Sequence, residues 1–135
     1  MFHQDITIYN KIFDVELRRD VYQRTILKGV FWDETGAINR IASGTQDIDE
    51  VTIVIPFTVE GDREYLSPDE FDRETDKSQY FTLQPQDRVI KGQHDYEIIE
   101  RVSELDRLFD AHVILSVDKK DFGTSMLRHW EVGAK

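Results

Sequence analysis

The sequence predicts an all-β protein, mainly β with one short helix: a small β-barrel with long loops. Seven or eight short strand-capable runs follow one another with turn residues between them. Only one stretch carries a strong helix-start signal. No repeat, low-complexity segment or linker divides the 135 residues, so they read as one domain, 1–135, large enough to bury a core without disulfides or metal.

The first strand is Asp5–Tyr9, an alternating run. Asn10–Asp20 is mixed: Ile12, Phe13 and Leu17 suit one face of a helical turn, but Asp14 and Asp20 suit a loop, and a loop is expected. Val21–Trp32 is the longest strand candidate. It carries Tyr22, Ile26, Val30 and Trp32 on one parity and Leu27 and Phe31 on the other. Such a strand is buried on both sides, or bends at Gly29 so that its inward face switches. Asp33–Gly36 reads as a turn and Ala37–Glu50 as a polar loop or weak hairpin arm. Val51–Phe57 is the clearest strand, with Val51, Ile53, Ile55 and Phe57 on one face. Pro56 cannot donate to a ladder, which places the strand at an edge or ends it there.

Ser67-Pro68-Asp69-Glu70 combines a capping serine, a proline at the first helical position and a glutamate where a capping box needs it. The helix is short and ends before Lys77. The two long loops fall near 34–50 and 58–78, and few apolar residues there offset the cost of ordering them. The organising stretch is Phe81–Val102, a meander: Phe81 and Leu83, a turn at Gln84–Asp87, a run Arg88–Lys91, a break at Gly92, and a third run from Tyr96. Gly92 is expected at positive φ or where a side chain has no room, with Tyr96 and Ile98 turned inward. Ser103–Asp110 reads as a bulged strand end or one helical turn. His112–Val117 is a strand with Val113, Leu115 and Val117 inward, Asp118–Gly123 a turn, and Met126–Val132 the last strand.

The chain holds no phosphate-cradling Gly-rich loop, no nucleophile elbow and no His-Glu-x-x-His pair. His3, His94, His112 and His129 lack the short spacings of a metal site. Acidic pairs such as Asp47 with Asp49, Asp69 with Glu70 and Asp118 with Asp121 arise by chance among 27 acids, whereas acid–base work needs two carboxylates in contrasting environments. Cysteine is absent, which removes disulfides and thiol chemistry and suits synthesis in a reducing cytosol. The expectation is no catalytic residue, no cofactor and no metal. Strand-borne aromatics read as core, but Trp32 beside Asp33 and Trp130 beside His129 suit a partly exposed interface.

Seventeen basic against 27 acidic residues give a net charge of −10. The basic residues are scattered, with pairs only at Arg18-Arg19 and Lys119-Lys120, so no phosphate-gripping surface is expected. Charge of this size favours solubility, or a surface that must not stick to passing DNA. No apolar run approaches membrane-spanning length, and MFHQDITIYN has neither the basic start nor the apolar core of a signal peptide.

Three pieces look familiar: ITIYNK with YQRTILKGVFW, the meander FTLQPQDRVIKG before Tyr96-Glu97-Ile98, and LRHWEVG at 127–133. They resemble the small head-completion, head-to-tail connector (stopper-like) and minor capsid proteins of tailed bacteriophages and prophages. The middle piece is similar to the core of an SH3-like small barrel, although Gln86 stands before Asp87 where glycine is common. The resemblance implies a structural virion protein assembled in the bacterial host cytoplasm, a ring-forming subunit between portal and tail. Its partners would be portal, adaptor or tail proteins and further copies of itself, with DNA passing nearby and no enzyme activity. Acids drawn from Asp47, Asp49, Glu50, Glu60, Asp62, Asp69, Asp72, Glu74 and Asp76 would then crowd on the loop side and repel phosphates. The rival reading is a monomeric module that binds a protein through a sheet edge or loop. A hydrolase whose carboxylates meet only in the fold is a third.

Overall fold

The computed structural model describes residues 3–34, 51–99, 101–121, 123 and 128–135. Its elements run β1 (Gln4–Asp14), β2 (Arg19–Asp33), β3 (Val51–Pro56), β4 (Glu60–Gly61), β5 (Glu64–Tyr65), α1 (Pro68–Arg73), β6 (Tyr80–Phe81), β7 (Arg88–Lys91), α2 (Ser103–Leu108), β8 (His112–Lys120) and β9 (His129–Ala134). The main sheet has the order β1-β7-β8-β9-β3-β2-β4, and β1 also pairs with β2. Six antiparallel strands therefore run round a partly closed ring, with β4 attached to β2. The fold is all-β and barrel-like, as the turn-punctuated runs predict.

Strand β2 closes the ring because it is long and bent. Its first part pairs with β1, and its end, Phe31–Asp33, pairs with β3. The bend is a β-bulge: Gln4 faces Val30 but Ile6 faces Leu27, so Lys28 and Gly29 together oppose Asp5. Gly29 takes φ 82°, a conformation that costs glycine little, and donates to Asp5 Oδ1 at 3.3 Å. The extra residue switches the parity, so Leu27 and Val30 both reach the interior. A second register shift lies in β8, between Ile114 and Ser116. It corrects the expected inward set there: Ile114 is fully buried while Val113 and Leu115 are only half-buried, and Val117 packs inward beyond the shift.

The interior is filled by the alternating positions of the ring, including Ile6, Ile8, Val51, Ile53, Ile55, Val89 and Val132. Phe81 and Leu83 add to it from the segment before the turn. The outer side of β1 is covered as well: Tyr9 and Ile90 lie under Leu105 of α2, with Tyr96, Ile98 and Phe109 around them.

Four expectations change. Asn10–Asp20 is not a loop; β1 and β2 run on through it, with Asp14 opposite Arg19 and a turn at 15–18. No third meander strand starts at Tyr96, because β7 already has β1 and β8 on its two edges and residues 93–98 instead cross the outer face. Tyr96 and Ile98 are nonetheless half-buried against that second cluster. Among the described residues there are two short helices rather than the one expected, since Ser103–Leu108 is helical as well as Pro68–Arg73. The region 58–78 holds β4, β5 and α1, and α1 has the expected capping box between Ser67 and Glu70. The last strand begins at His129; residues 124–127 and the loop or hairpin arm expected over Ala37–Glu50 lie outside the described residues.

The turn before β7 explains one departure from the small-barrel pattern. Asp87 N donates to Gln84 O at 3.4 Å, Pro85 is second in the turn, and Gln86 takes φ 80°. This is the pattern of a type II turn, whose third position favours glycine. Gln86→Gly should raise stability by roughly 0.5–1 kcal/mol, because the left-handed cost to a side-chain-bearing residue exceeds the entropy glycine adds to the unfolded chain. A urea titration that shows a lower midpoint would mean that the glutamine side chain stabilises the turn. Gly92, at φ 95°, keeps its turn role for conformational reasons, since an added Cβ would meet only His94 at 3.7 Å.

Candidate functional site

Two surface features stand out, an aromatic cleft at one end of the ring and the tip of the β1–β2 hairpin. Pro56 ends β3, and Phe57 turns away with its N–H on Arg128 O at 3.2 Å. The chain crosses to β2 as β4, where Gly61 lies so close to Leu27 that an added Cβ would stand 2.6 Å from Cδ2. Strand β5 then pairs in parallel with β6, and Arg63 ties this strap down through Ser78 O and Arg24 O. The path brings Phe57, Tyr65, Phe81 and Trp130 together. Trp130 lies 4.4 Å from Phe57 and 4.2 Å from Tyr65 between ring centroids, and Tyr65 is edge-on to Phe81 at 5.8 Å.

These rings line a cleft of about 590 Å³, with Glu60, Glu64, Arg63 and Lys119 among its charged neighbours. Lys119 Nζ lies 5.8 Å from the centroid of the Phe57 ring, a cation–π contact. Burial pushes the Tyr65 hydroxyl above its ordinary value, opposed by the adjacent Trp130 and Thr82 side chains. Trp130 Nε1 and Thr82 Oγ1 are themselves buried without meeting hydrogen-bond geometry to any group. The three polar atoms thus sit together under the cleft, loosely matched.

The hairpin tip is ordered but apolar. Asp14 Oδ1 accepts from Glu16 N at 2.9 Å and Leu17 N at 3.1 Å, and Arg18 takes the left-handed φ 54°. Around this held turn, Phe13, Val15 and Leu17 are 60%, 77% and 55% exposed. Ile99, 73% exposed, is adjacent, its carbonyl accepting from Arg19 Nη2 at 3.3 Å. These exposed apolar side chains sit among the charged Asp14, Glu16, Arg18 and Arg19, and apolar groups left in water in this way make the tip a candidate contact surface.

Asp87 is fully buried, and burial raises its carboxyl to about 6. Three donors pull the other way: Asn10 Nδ2 at 2.8 Å, Lys11 N at 3.0 Å and Gln84 Nε2 at 3.4 Å. Asn10 also donates to Thr82 O at 2.8 Å and accepts from Thr82 N at 3.2 Å. The node pins the turn and the Thr82 segment onto β1. His94 packs edge-on to Phe109 and His112 edge-on to Trp32, with ring centroids 5.1 and 5.3 Å apart. Among the described residues no group of three or more His, Asp and Glu is placed to hold a metal ion. No helix among them is long and apolar enough to cross a membrane.

Of the residues expected at an interface, Asp47, Asp49 and Glu50 lie outside the described residues. Glu60 borders the cleft, Asp62 is exposed and accepts from Ile26 N at 3.4 Å, and Asp69 is exposed in the first turn of α1. Trp32 is part-exposed as expected; its Nε1 donates to Glu34 Oε1 at 2.8 Å and Lys91 lies over its ring. Trp130 is a correction: it is only 5% exposed and forms the cleft's floor, because its strand neighbour His129 is the one turned outward. Tyr65, Val15 and Leu17 were not anticipated. The spacing of Phe13, Val15 and Leu17 is the signal for the tip, a strand-period apolar row in an otherwise charged segment.

The sequence model of a family of unknown function, DUF6751, matches residues 1–135. No curated protein and no solved structure matches the chain.

Proposed function

Because the chain belongs to DUF6751, a family of unknown function, we propose from its own surfaces that it is a non-catalytic assembly subunit. Specifically, it would be a structural virion protein of a tailed phage or prophage, forming a ring in the head-tail connector. The observation that carries this is the hairpin tip. A turn held by Asp14 that presents Phe13, Val15 and Leu17 to water is built to be covered by another protein. The resemblance to stopper and minor capsid proteins supplies the setting. The acids support it too: Glu60, Asp62, Glu64, Asp69, Glu70, Asp72, Glu74 and Asp76 share one stretch with Arg63 and Arg73 alone as basic residues. Such a stretch repels phosphates at close range.

Gel filtration and native mass measurement over a wide concentration range test the reading. The wild-type chain should move to larger species on concentration, or on addition of portal or adaptor protein. Val15→Asp/Leu17→Asp should stay monomeric with an unchanged far-ultraviolet spectrum. Each apolar side chain buried at an interface is worth about 1.5–3 kcal/mol, so losing both weakens association at least about 100-fold. A wild-type chain that is monomeric under all these conditions overturns the reading. It would favour a monomeric protein-binding module, for which the aromatic cleft is the supporting observation. Duplex DNA should not bind measurably even at low salt; tight, salt-sensitive binding would contradict a channel past which DNA slides.

A further inference from the structure

We infer that the acceptor for the hairpin tip is the aromatic cleft of a second copy of this chain. The inference rests on the assembly reading and names its contact. The tip does not fill the cleft of its own chain: Phe13 and Val15 lie toward Pro68 and Phe71 of α1, and no tip residue lines the cleft. Each copy therefore offers one apolar projection and one apolar recess at different places on its surface. A contact between them is heterologous, and repetition of a heterologous contact gives a ring or a filament.

Size and charge agree. The cleft of about 590 Å³ is within the 300–1,000 Å³ range of sites that enclose a small group of atoms, enough for Val15 and Leu17 with their connecting backbone. Glu16, exposed between those two side chains, matches Lys119 at the cleft wall, and Arg18 at the end of the turn matches Glu60 and Glu64 on the border. Both partners carry both signs, and that arrangement fixes orientation more than affinity.

The chain has no cysteine, so single thiols report contacts cleanly. Val15→Cys and Lys119→Cys are made separately, mixed, and treated with a short bismaleimide. The mixture should give a covalent dimer that stops at two chains, about tenfold above either variant alone, as held proximity implies. A chain carrying both cysteines should give a ladder of multiples. A wild-type oligomer with no Val15→Cys to Lys119→Cys product overturns the cleft as acceptor and leaves the assembly reading standing. Equal dimer from Val15→Cys alone means tip-to-tip pairing and likewise overturns it. A wild-type chain that stays monomeric throughout removes the assembly reading and this inference together.

Discussion

Asp87→Ala is expected to destabilise the protein by on the order of 3–5 kcal/mol, because it orphans buried donors rather than merely deleting contacts. The buried Asn10 side chain and the part-buried Lys11 N–H lose their acceptor. Asn10 also holds both backbone groups of Thr82, so the segment leading into β7 loosens with it. For a chain of this length that loss should lower the melting temperature by about 10 °C or more. Asp87→Asn should fall between, since its amide must turn a donor toward Asn10 Nδ2 or Lys11 N. A shift below about 3 °C for the alanine variant would mean that the node is not enclosed.

The same carboxyl gives a pH signature. Its folded value, about 6, lies above the ordinary 3.8, so the folded state binds the proton more tightly than the unfolded state does. The stabilisation is fully present below about pH 4 and is lost as the pH rises through 6. The whole interval corresponds to roughly 3 kcal/mol. Wild type measured against Asp87→Asn should therefore gain stability between pH 7 and pH 4. A difference that is flat, or runs the other way, would show that the three donors outweigh burial.

What the sequence disclosed, and what it hid, follows from how local the cause was. Val51, Ile53 and Ile55 were legible because a period-two pattern needs only one face in oil. Ser67, Pro68 and Glu70 were legible because a capping box is made within four residues. Gly29 announces its bulge, since glycine marks positive φ; the register shift at Leu115 leaves no mark, so the period-two reading of β8 holds at Val117 and misses Ile114 before the shift. The hairpin through Asn10–Asp20 is hidden because its apolar side chains are not in the core. Its apolar side chains face water, so the usual rule for matching pattern to core gives the wrong answer there. Tyr96 was placed in a strand because no local signal reports that both edges of β7 are taken. The cleft was not legible as a unit: Phe57, Tyr65, Phe81 and Trp130 come from four separate segments, and only the ring brings them together.

The two tryptophans, alike in the sequence, should separate widely by mutation. Trp130→Ala should cost about 3–5 kcal/mol, the range for emptying a large aromatic site in a packed interior. Its backbone is paired on both sides, to Ile55 in β3 and Lys119 in β8, so the cavity cannot close by moving the strand. Phe57 and Tyr65 each lose a ring partner at 4.4 and 4.2 Å. Set against a usual total of 5–15 kcal/mol, the variant should be partly unfolded at moderate temperature. Trp130→Phe keeps the stack and should cost about 1–2 kcal/mol, since most of the aromatic volume stays. Trp32→Ala removes a half-buried ring that packs on the edge of the core and touches Glu34, Lys91 and His112; its cost should be about 1–2 kcal/mol, below that of emptying a fully buried aromatic site. Fluorescence distinguishes the same pair: Trp32→Ala leaves the buried indole and a blue-shifted emission, while Trp130→Phe leaves the wetter one. Urea midpoints that rank Trp32→Ala as the more damaging change would reverse the inside and outside of the ring at β9.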